Sequence, residues 1–383
     1  MRTVTLSPSI HFTPQSQTNN FPRKQSPSGI NLHPKPNLLQ CNPITAQNIA
    51  PPTSFALNSL KTQNFNSTNP PLVVVGSANA DIYVEIDRLP KEGETISAKT
   101  GQTLAGGKGA NQSVCGSKLA YPTYFVGQVG KDAHGKLISE ALEKSGVNLD
   151  HLNTVASVPT GHAVVMLQPD GQNSIIIVGG ANVSCWPETL SDQDLEVVRN
   201  AGIVLLQREI PDSVNIQVAK DVVVQAARNA GVPVILDAGG MDTPLPRELL
   251  SYVDILSPNE TELGRLTGMP TNTFEQINQA VVKCQKMGVK QVLVKLGGQG
   301  SALFIEGQEP MRQPIVSAPK VIDTTGAGDT FTAAFAVALV EGKSTKECLI
   351  FAAAAASLCV QVKGAIPSMP DRKSVLDLVH SVQ

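Results

Sequence analysis

The chain has 383 residues, 41% of them hydrophobic, and a formal net charge of −2. That length holds one large or two small domains with a sizeable core. The near-neutral balance excludes the basic field that nucleic-acid binding needs, and no apolar stretch is long enough for a membrane helix. The six cysteines, Cys41, Cys115, Cys185, Cys284, Cys348 and Cys359, form no CxxC pair. They read as buried thiols in a reducing compartment, not as a disulfide frame or a zinc site.

Residues 1–70 are a different polymer. They contain no Asp or Glu, and the first acid of the chain is Asp81. Ser, Thr, Asn, Gln and Pro dominate, and the strong bases are Arg2, Arg23, Lys24, Lys35 and Lys61. An acid-poor, hydroxyl-rich, weakly basic start without an apolar core predicts an organelle transit peptide, not a secretory signal. The scarcity of Arg favours a plastid (chloroplast) over a mitochondrion.

The folded part opens with Leu72-Val73-Val74-Val75-Gly76, the pattern of a buried strand that ends on a loop, Ser77 to Asp81. Extended segments are expected at Ile82–Ile86 and Thr95–Leu104, then a helix from Gly106-Gly107-Lys108-Gly109 to about Ala120. Tyr124–Val129 predicts a strand and Gly135–Ser145 a helix. His162–Gln168 and Ser174–Val178 predict antiparallel strands across a turn at Pro169-Asp170-Gly171. Strands follow at Ile203–Leu206, Val234–Asp237, Ile255–Ser257, Val292–Leu296 and Ala302–Ile305. Helices are expected at Ser213–Ala230, Thr261–Thr267, Thr273–Gly288, Gly328–Glu341, Thr345–Lys363 and Lys373–Val382. This alternation argues a mostly parallel sheet with helices on both faces. The strands at roughly 82–105 and 161–180 break it and suggest a small sheet that lies over the main one as a lid.

In such sheets ligands gather beyond the C-terminal strand ends. The polar loops fall there: Asn79 and Asp81, Gln207-Arg208-Glu209, Asn259 with Glu262, and Gly297 to Gly300. Asp323-Thr324-Thr325-Gly326-Ala327-Gly328-Asp329 feeds a glycine-rich turn into an apolar helix. Its free N–H groups and the helix dipole suit a phosphoryl group, and Asp329 beside them suits proton abstraction from a hydroxyl. A capped helix start is the plainer alternative. Gly106-Gly107-Lys108-Gly109 fails as a P-loop, because a glycine follows the lysine. Its glycines let backbone approach a small polyol, with Lys108 and Asn111 on one side, or simply start a helix. Asn79 and Asp81 suit vicinal hydroxyls or an Asx turn. Asn259 and Glu262 suit a magnesium–phosphate unit or a capping box. The sequons at Asn66, Asn111, Asn182 and Asn259 lack a secretory context and read as chance.

Together these motifs resemble the ribokinase (PfkB-type carbohydrate kinase) family over residues 71 to about 372. Gly106 to Gln112 resembles its N-terminal signature and Asp323 to Phe331 its C-terminal one. Asn259 to Glu262 resembles its N-x-x-E motif, and Val75 to Asp81 its sugar-binding turn. The resemblance implies a three-layer α/β/α kinase domain at 71–383 with a small β-sheet lid. It implies ATP-dependent phosphorylation of D-ribose at the 5-hydroxyl, the alternatives being another sugar or nucleoside of the family, or a non-catalytic member. Asp329 would be the base; Gly326, Ala327 and Gly328 the anion hole. Asn79, Asp81, Gly107, Lys108, Asn111 and Glu209 would hold ribose. Asn259, Lys295, Leu296, Gly297, Gly298, Gln299, Gly300, Gly328 and Ala353 would line the ATP site. Glu262 would organise magnesium indirectly. Asp323, Thr325, Cys359, Val362, Gly364 and Ser368 match positions for an activating potassium ion. A homodimer through the lid is implied, with no nucleic-acid or membrane partner. Lys295, where ribokinases commonly carry Thr, Ala353, and Arg208, where an apolar residue is usual, depart from the pattern.

Overall fold

The computed structural model describes residues 69–169, 173–226 and 231–382. The expected transit peptide through residue 68, Cys41, the Asn66 sequon, the turn residues Asp170 and Gly171, and the expected helix end at 227–230 lie outside the described residues. The chain runs β1 (Leu72–Val75), β2 (Asn79–Glu85), β3 (Thr100–Gly106), α1 (Lys108–Lys118), β4 (Thr123–Gly130), α2 (Ala133–Lys144) and β5 (Asn148–Val155). It continues with β6 (Gly161–Leu167), β7 (Asn173–Val178), α3 (Asp192–Arg199), β8 (Ile203–Arg208), α4 (Asp212–Ala226) and β9 (Val234–Gly240). Next come α5 (Arg247–Leu250), β10 (Ile255–Ser257), α6 (Glu260–Thr267), α7 (Phe274–Gln285), β11 (Gln291–Lys295), β12 (Ser301–Ile305) and β13 (Met311–Gln313). The last elements are α8 (Ala327–Val340), α9 (Thr345–Cys359), α10 (Ala365–Ser368) and α11 (Arg372–Val382).

Nine strands form the main sheet in the order β13-β12-β11-β10-β9-β8-β1-β4-β5. All pairs from β11 to β5 are parallel, and β12 and β13 add an antiparallel edge. The chain builds β4 and β5 on one side of β1, then returns to β8 on the other. The strand order therefore reverses at β1, which is where an open α/β sheet leaves a crevice for ligands.

Alternation along each strand divides the core. Leu72 and Val74 of β1 pack with Phe125, Ile203 and Ile235 under α1, α2, α8, α9 and α11. Val73 and Val75 pack with Val126, Val204 and Leu206 under α3, α4, α6 and α7. Each fully buried Val or Leu contributes about 1.5–3 kcal/mol, so both registers are fixed by burial. α8 and α9 lie together along buried alanines: Ala333, Ala334, Ala336 and Ala338 on one, Ala352 to Ala355 on the other.

A second sheet holds four strands in the order β3-β2-β6-β7. Its small core is Tyr83, Ala163 and Val165. β7 is its outer edge, and Ile175, Ile176, Ile177 and Val178 on it are 42–57% exposed.

Several boundaries differ from expectation. β2 begins at Asn79, so Asn79 and Asp81 lie on a strand, not in a loop. Gln207 and Arg208 likewise belong to β8. β3 starts at Thr100, leaving 95–99 irregular. The helix expected over 345–363 ends at Cys359, and Gly364 at φ +83° turns the chain into the separate α10. β5 was not anticipated, because its Asn-Leu-Asp-His-Leu-Asn-Thr-Val sequence is a half-exposed edge. Nor was α3, although Ser191 caps it. Cys115, Cys284, Cys348 and Cys359 are buried free thiols as expected, but Cys185 is exposed.

Candidate active site

The β1 turn and the α1 turn meet at the strand-order reversal. Gly107 sits at φ +92°, and a Cβ there would lie 2.7 Å from the backbone nitrogen of Asn79. The close approach that Gly107 provides is to the chain's own β1–β2 turn. Ser77 Oγ donates to Glu209 Oε2 at 2.5 Å, and the Lys108 N–H donates to the same oxygen at 3.1 Å. Glu209 therefore braces the turn from the end of β8. Burial raises its pKa, against the opposing pull of Lys108 and of the Ser77 hydroxyl.

Asp329 is the third residue of α8 and is buried. Asn111 Nδ2 donates to its Oδ2 at 2.9 Å and Gln112 Nε2 to its Oδ1 at 3.3 Å. Lys108 Nζ stands 3.7 Å from Oδ1. Three residues of α1 thus aim one carboxylate. Asn111 Oδ1 is buried without a hydrogen-bond partner, an acceptor left for a ligand hydroxyl.

Asn79 and Asp81, two apart on β2, share one face. Asn182 Nδ2 donates to Asn79 Oδ1 at 2.7 Å, and Asn182 also bonds both backbone groups of Ala78 at 2.9 and 3.0 Å. Asp81 lies over Gly106. Burial pushes the Asp81 carboxyl up to about 7, helped by the charges of Glu209 and Asp329.

α8 starts without a side-chain cap, on Gly326 at φ +78°. The expected anion hole is therefore open. Gly326 is backed by Ala365, 3.1 Å from where its Cβ would sit, whereas among the described residues outside its own helix turn a Cβ on Gly328 would meet nothing closer than Lys295 at 3.7 Å.

The ATP-side residues divide. Asn259 and Glu262 do form a capping box, Asn259 Oδ1 accepting from the Glu262 N–H and Glu262 Oε2 from the Asn259 N–H, both at 2.8 Å. Glu262 Oε1 is not used there and lies with Lys108 Nζ over Gly239. Gly297 to Gln299 form an exposed 3-10 turn with open space over Gly297 and Gly298. Leu296 is buried, so only its backbone is available to a ligand. Ala353 packs in the alanine seam of α9.

Asp237 was missed. It is fully buried midway along β9, which runs on to Gly240, whereas the sequence expectation ended the strand at this polar residue. Lys295 Nζ donates to its Oδ2 at 2.6 Å, and Lys108 Nζ stands 3.5 Å from its Oδ1. Burial would raise its pKa, but the two lysines hold it well below the usual carboxylate range. Burial would likewise lower the Lys108 pKa, but Asp237, Asp329, Glu262 and Glu209 hold it above its usual value. Lys295 does not point to solvent. Asn182 was also missed; its only sequence signal was a sequon, and the side chain is buried. Arg208 is buried against Asp212 at 2.7 Å and Thr243, a structural tie and not a ligand contact.

The remaining residues cluster behind the anion hole. Asp323 accepts from the Thr325 N–H at 2.9 Å and the Gly364 N–H at 2.8 Å. The Cys359 thiol is 3.1 Å from Ser368 Oγ and 3.8 Å from the Thr325 carbonyl. Val362 follows, 44% exposed; its side chain is apolar, so only its carbonyl suits a cation.

An aimed buried carboxylate, an open helix start and a polar strand across from them make a site for phosphoryl transfer to a hydroxyl compound. Residues 69–372 match the model of the pfkB family carbohydrate kinases, and the chain belongs to that family. It is 78% identical over 312 residues to a ribokinase of Arabidopsis thaliana, spanning 81% of each chain. It is 36% identical over 308 residues to a ribokinase of Bacillus subtilis (strain 168), spanning 80% of this chain and 99% of that one. The solved structure of Arabidopsis thaliana ribokinase complexed with ribose and ATP is similar at a TM-score of 0.77. It shares 77% sequence identity and covers 82% of this chain and 99% of that chain.

Proposed function

We propose that this chain is an ATP-dependent ribokinase that converts D-ribose to D-ribose 5-phosphate with release of ADP. The observation that carries the reading is Asp329, held by Asn111 and Gln112 beside the uncapped start of α8. Asn79, Asp81 and Lys108 hold the sugar hydroxyls. Asn111 Oδ1 accepts from one of them, which relieves its unpaired burial. Asp329 orients the 5-hydroxyl in line with the γ-phosphorus and takes its proton late, because phosphoryl transfer has a loose transition state. The free N–H groups at the start of α8 bind the phosphoryl oxygens, where charge gathers.

The residues fit both ions that the resemblance implies. Glu262 Oε1, free of the capping box, suits a magnesium ion held largely through water. That ion would neutralise phosphate charge when bound. Asp323, Ser368 and the carbonyls of Thr325, Cys359, Val362 and Gly364 offer the oxygen donors a potassium ion prefers. The second sheet acts as a lid. Two copies pair through β7, whose apolar edge is left unpaired within one chain. Residues 1–70 direct the chain to a plastid, and a reporter fused to them that stays in the cytosol would refute that.

The test of the activity is a phosphorylation assay over ribose, deoxyribose, fructose, adenosine and pseudouridine. Ribose is expected to give the highest kcat/KM. Equal or better turnover of a nucleoside overturns the substrate, and no ATP consumption with any compound overturns the activity.

A further inference from the structure

The charges around Asp237 exceed what proton transfer by Asp329 requires. One fully buried carboxylate faces two lysines from different strands and turns. Lys108 divides its ammonium between Asp237 at 3.5 Å and Asp329 at 3.7 Å. Lys295 is closer to Asp237, at 2.6 Å, and its side chain is only 12% exposed. A buried ion pair gains little net stability, since desolvation offsets most of its Coulombic attraction. What the pair does achieve is position. Lys295 comes from the end of β11, and its Cδ and Nζ are both 3.7 Å from where a Cβ of Gly328 would stand. Among the described residues, no other atom outside the helix's own turn comes within 4 Å of that point. The ammonium therefore roofs the open space over the uncapped helix start. Asp237 occupies one of its three donors, and the remaining donors are free to face that space.

We infer that Lys295 is a second cation of the anion hole, contacting the transferred phosphoryl group, and that Asp237 is the residue that positions it. The inference rests on the phosphoryl-transfer reading above. Lys295 moves no proton. It attracts the negative charge that builds on the phosphoryl oxygens and on the oxygen leaving with ADP, as the bond from that oxygen to phosphorus breaks and the bond to the sugar oxygen forms. An ammonium held in place costs no reorganisation at that moment, unlike one that must swing in from solvent. Asp237 also bonds the Gly239 N–H at 3.0 Å and accepts from Thr332 Oγ1 at 3.3 Å, so its own orientation is fixed from three sides.

The experiment compares wild type, Lys295→Met, Lys295→Arg, Asp237→Asn and the double variant Asp237→Asn/Lys295→Met. Steady-state kcat and the KM values for sugar and ATP are measured with the best sugar from the panel. Lys295→Met is expected to lower kcat by about 10²–10³-fold, the scale of removing one oxyanion donor, while the sugar KM stays within about twofold. Lys295→Arg is expected to recover at least about tenfold of that loss, because the charge is retained. Asp237→Asn should lower kcat less than Lys295→Met. The double variant should be no slower than Lys295→Met alone, which is the non-additivity of a residue acting through its partner. The double variant removes both charges of the pair, so it tests the idea even if Lys295→Met alone does not fold. Lys295→Met or the double variant turning over within about threefold of wild type would overturn the inference, as would strictly additive losses. A wild type inactive on every sugar would instead overturn the kinase reading itself, so the two failures are distinguishable.

Discussion

The starts of α6 and α8 reach the same edge of the main sheet, and they are finished in opposite ways. At α6, Asn259 and Glu262 close on each other through two hydrogen bonds of 2.8 Å. α2, α3, α7 and α9 are likewise closed by Asp132, Ser191, Thr273 and Ser344. At α8 the capping position is Gly326 in the left-handed region, with no side chain on the free N–H groups. α1 also starts on a glycine, Gly107, but its first N–H groups are taken by Glu209 Oε2 and by Ser77. The two glycine starts meet at Asp329, through Asn111 and Gln112. A side-chain cap stabilises a helix by about 1 kcal/mol, so leaving it out costs stability and keeps donors for a ligand. The closed start at α6 still leaves Glu262 Oε1 outside the capping box for the nucleotide side.

Substitutions at the two kinds of start should separate activity from stability. Asp329→Asn is expected to reduce kcat by at least about 10²-fold with little change in the sugar KM. Near-normal turnover would remove Asp329 from the role of base. Gly328→Ala comes next. Among the described residues outside its own helix turn, its new methyl meets no atom closer than 3.7 Å, and Ala is favoured over Gly in a helix by about 1 kcal/mol. Melting temperature should hold or rise while kcat falls about tenfold or more, since the methyl enters the phosphoryl space. A loss of stability with activity intact would show the open start to be structural.

A third test uses pH. Asp81 has its pKa raised from 3.8 to about 7. A raised carboxyl pKa means the folded chain holds the proton more tightly than the unfolded one. Its contribution to stability is therefore full below pH 3.8 and is lost as pH rises through about 7. A sugar hydroxyl donating to Asp81 favours the ionised form. Sugar binding should weaken about tenfold from pH 8 to pH 6, as one unit of pH below the pKa removes about nine-tenths of the charge. Calorimetric titration at the two pH values measures this, and Asp81→Asn should abolish the difference. The smallest effect belongs to a closed start far from the site: Ser344→Ala should cost about 1 kcal/mol in denaturant unfolding. Its kcat should be unchanged, and a fall in kcat would break the contrast between the two kinds of start.

What could be read beforehand was local. Val73 to Val75, the apolar run of α8 and the glycine turn before Asp329 carry their structure in consecutive residues. The site contacts do not. Ser77 and Glu209 are 132 residues apart, and Asn111 and Asp329 are 218 apart. Family resemblance, more than periodicity, brought those positions together. Asp237 escaped because a carboxylate at the expected end of a strand looks like any solvated strand terminus. Only the fold reveals that two lysines cover it. Asn182 escaped because its three bonds go to a turn 103–104 residues earlier. α3 was recoverable: Ser191 and Asp194 carry the spacing of a helix cap, and the Ser191 hydroxyl does accept from the Asp194 N–H.

The alanine seam between α8 and α9 bears on how this site can be altered. The two helices pack together, and Ala333, Ala334, Ala336, Ala338, Ala352, Ala354 and Ala355 are all fully buried. Neither helix has slack to absorb even one added methylene without moving its neighbour. The seam thus works as a machinist's datum: it sets where Asp329 stands, and everything else in the pocket is measured from it. Libraries aimed at new sugars should therefore vary β2 and the turn before α1, and leave the seam untouched.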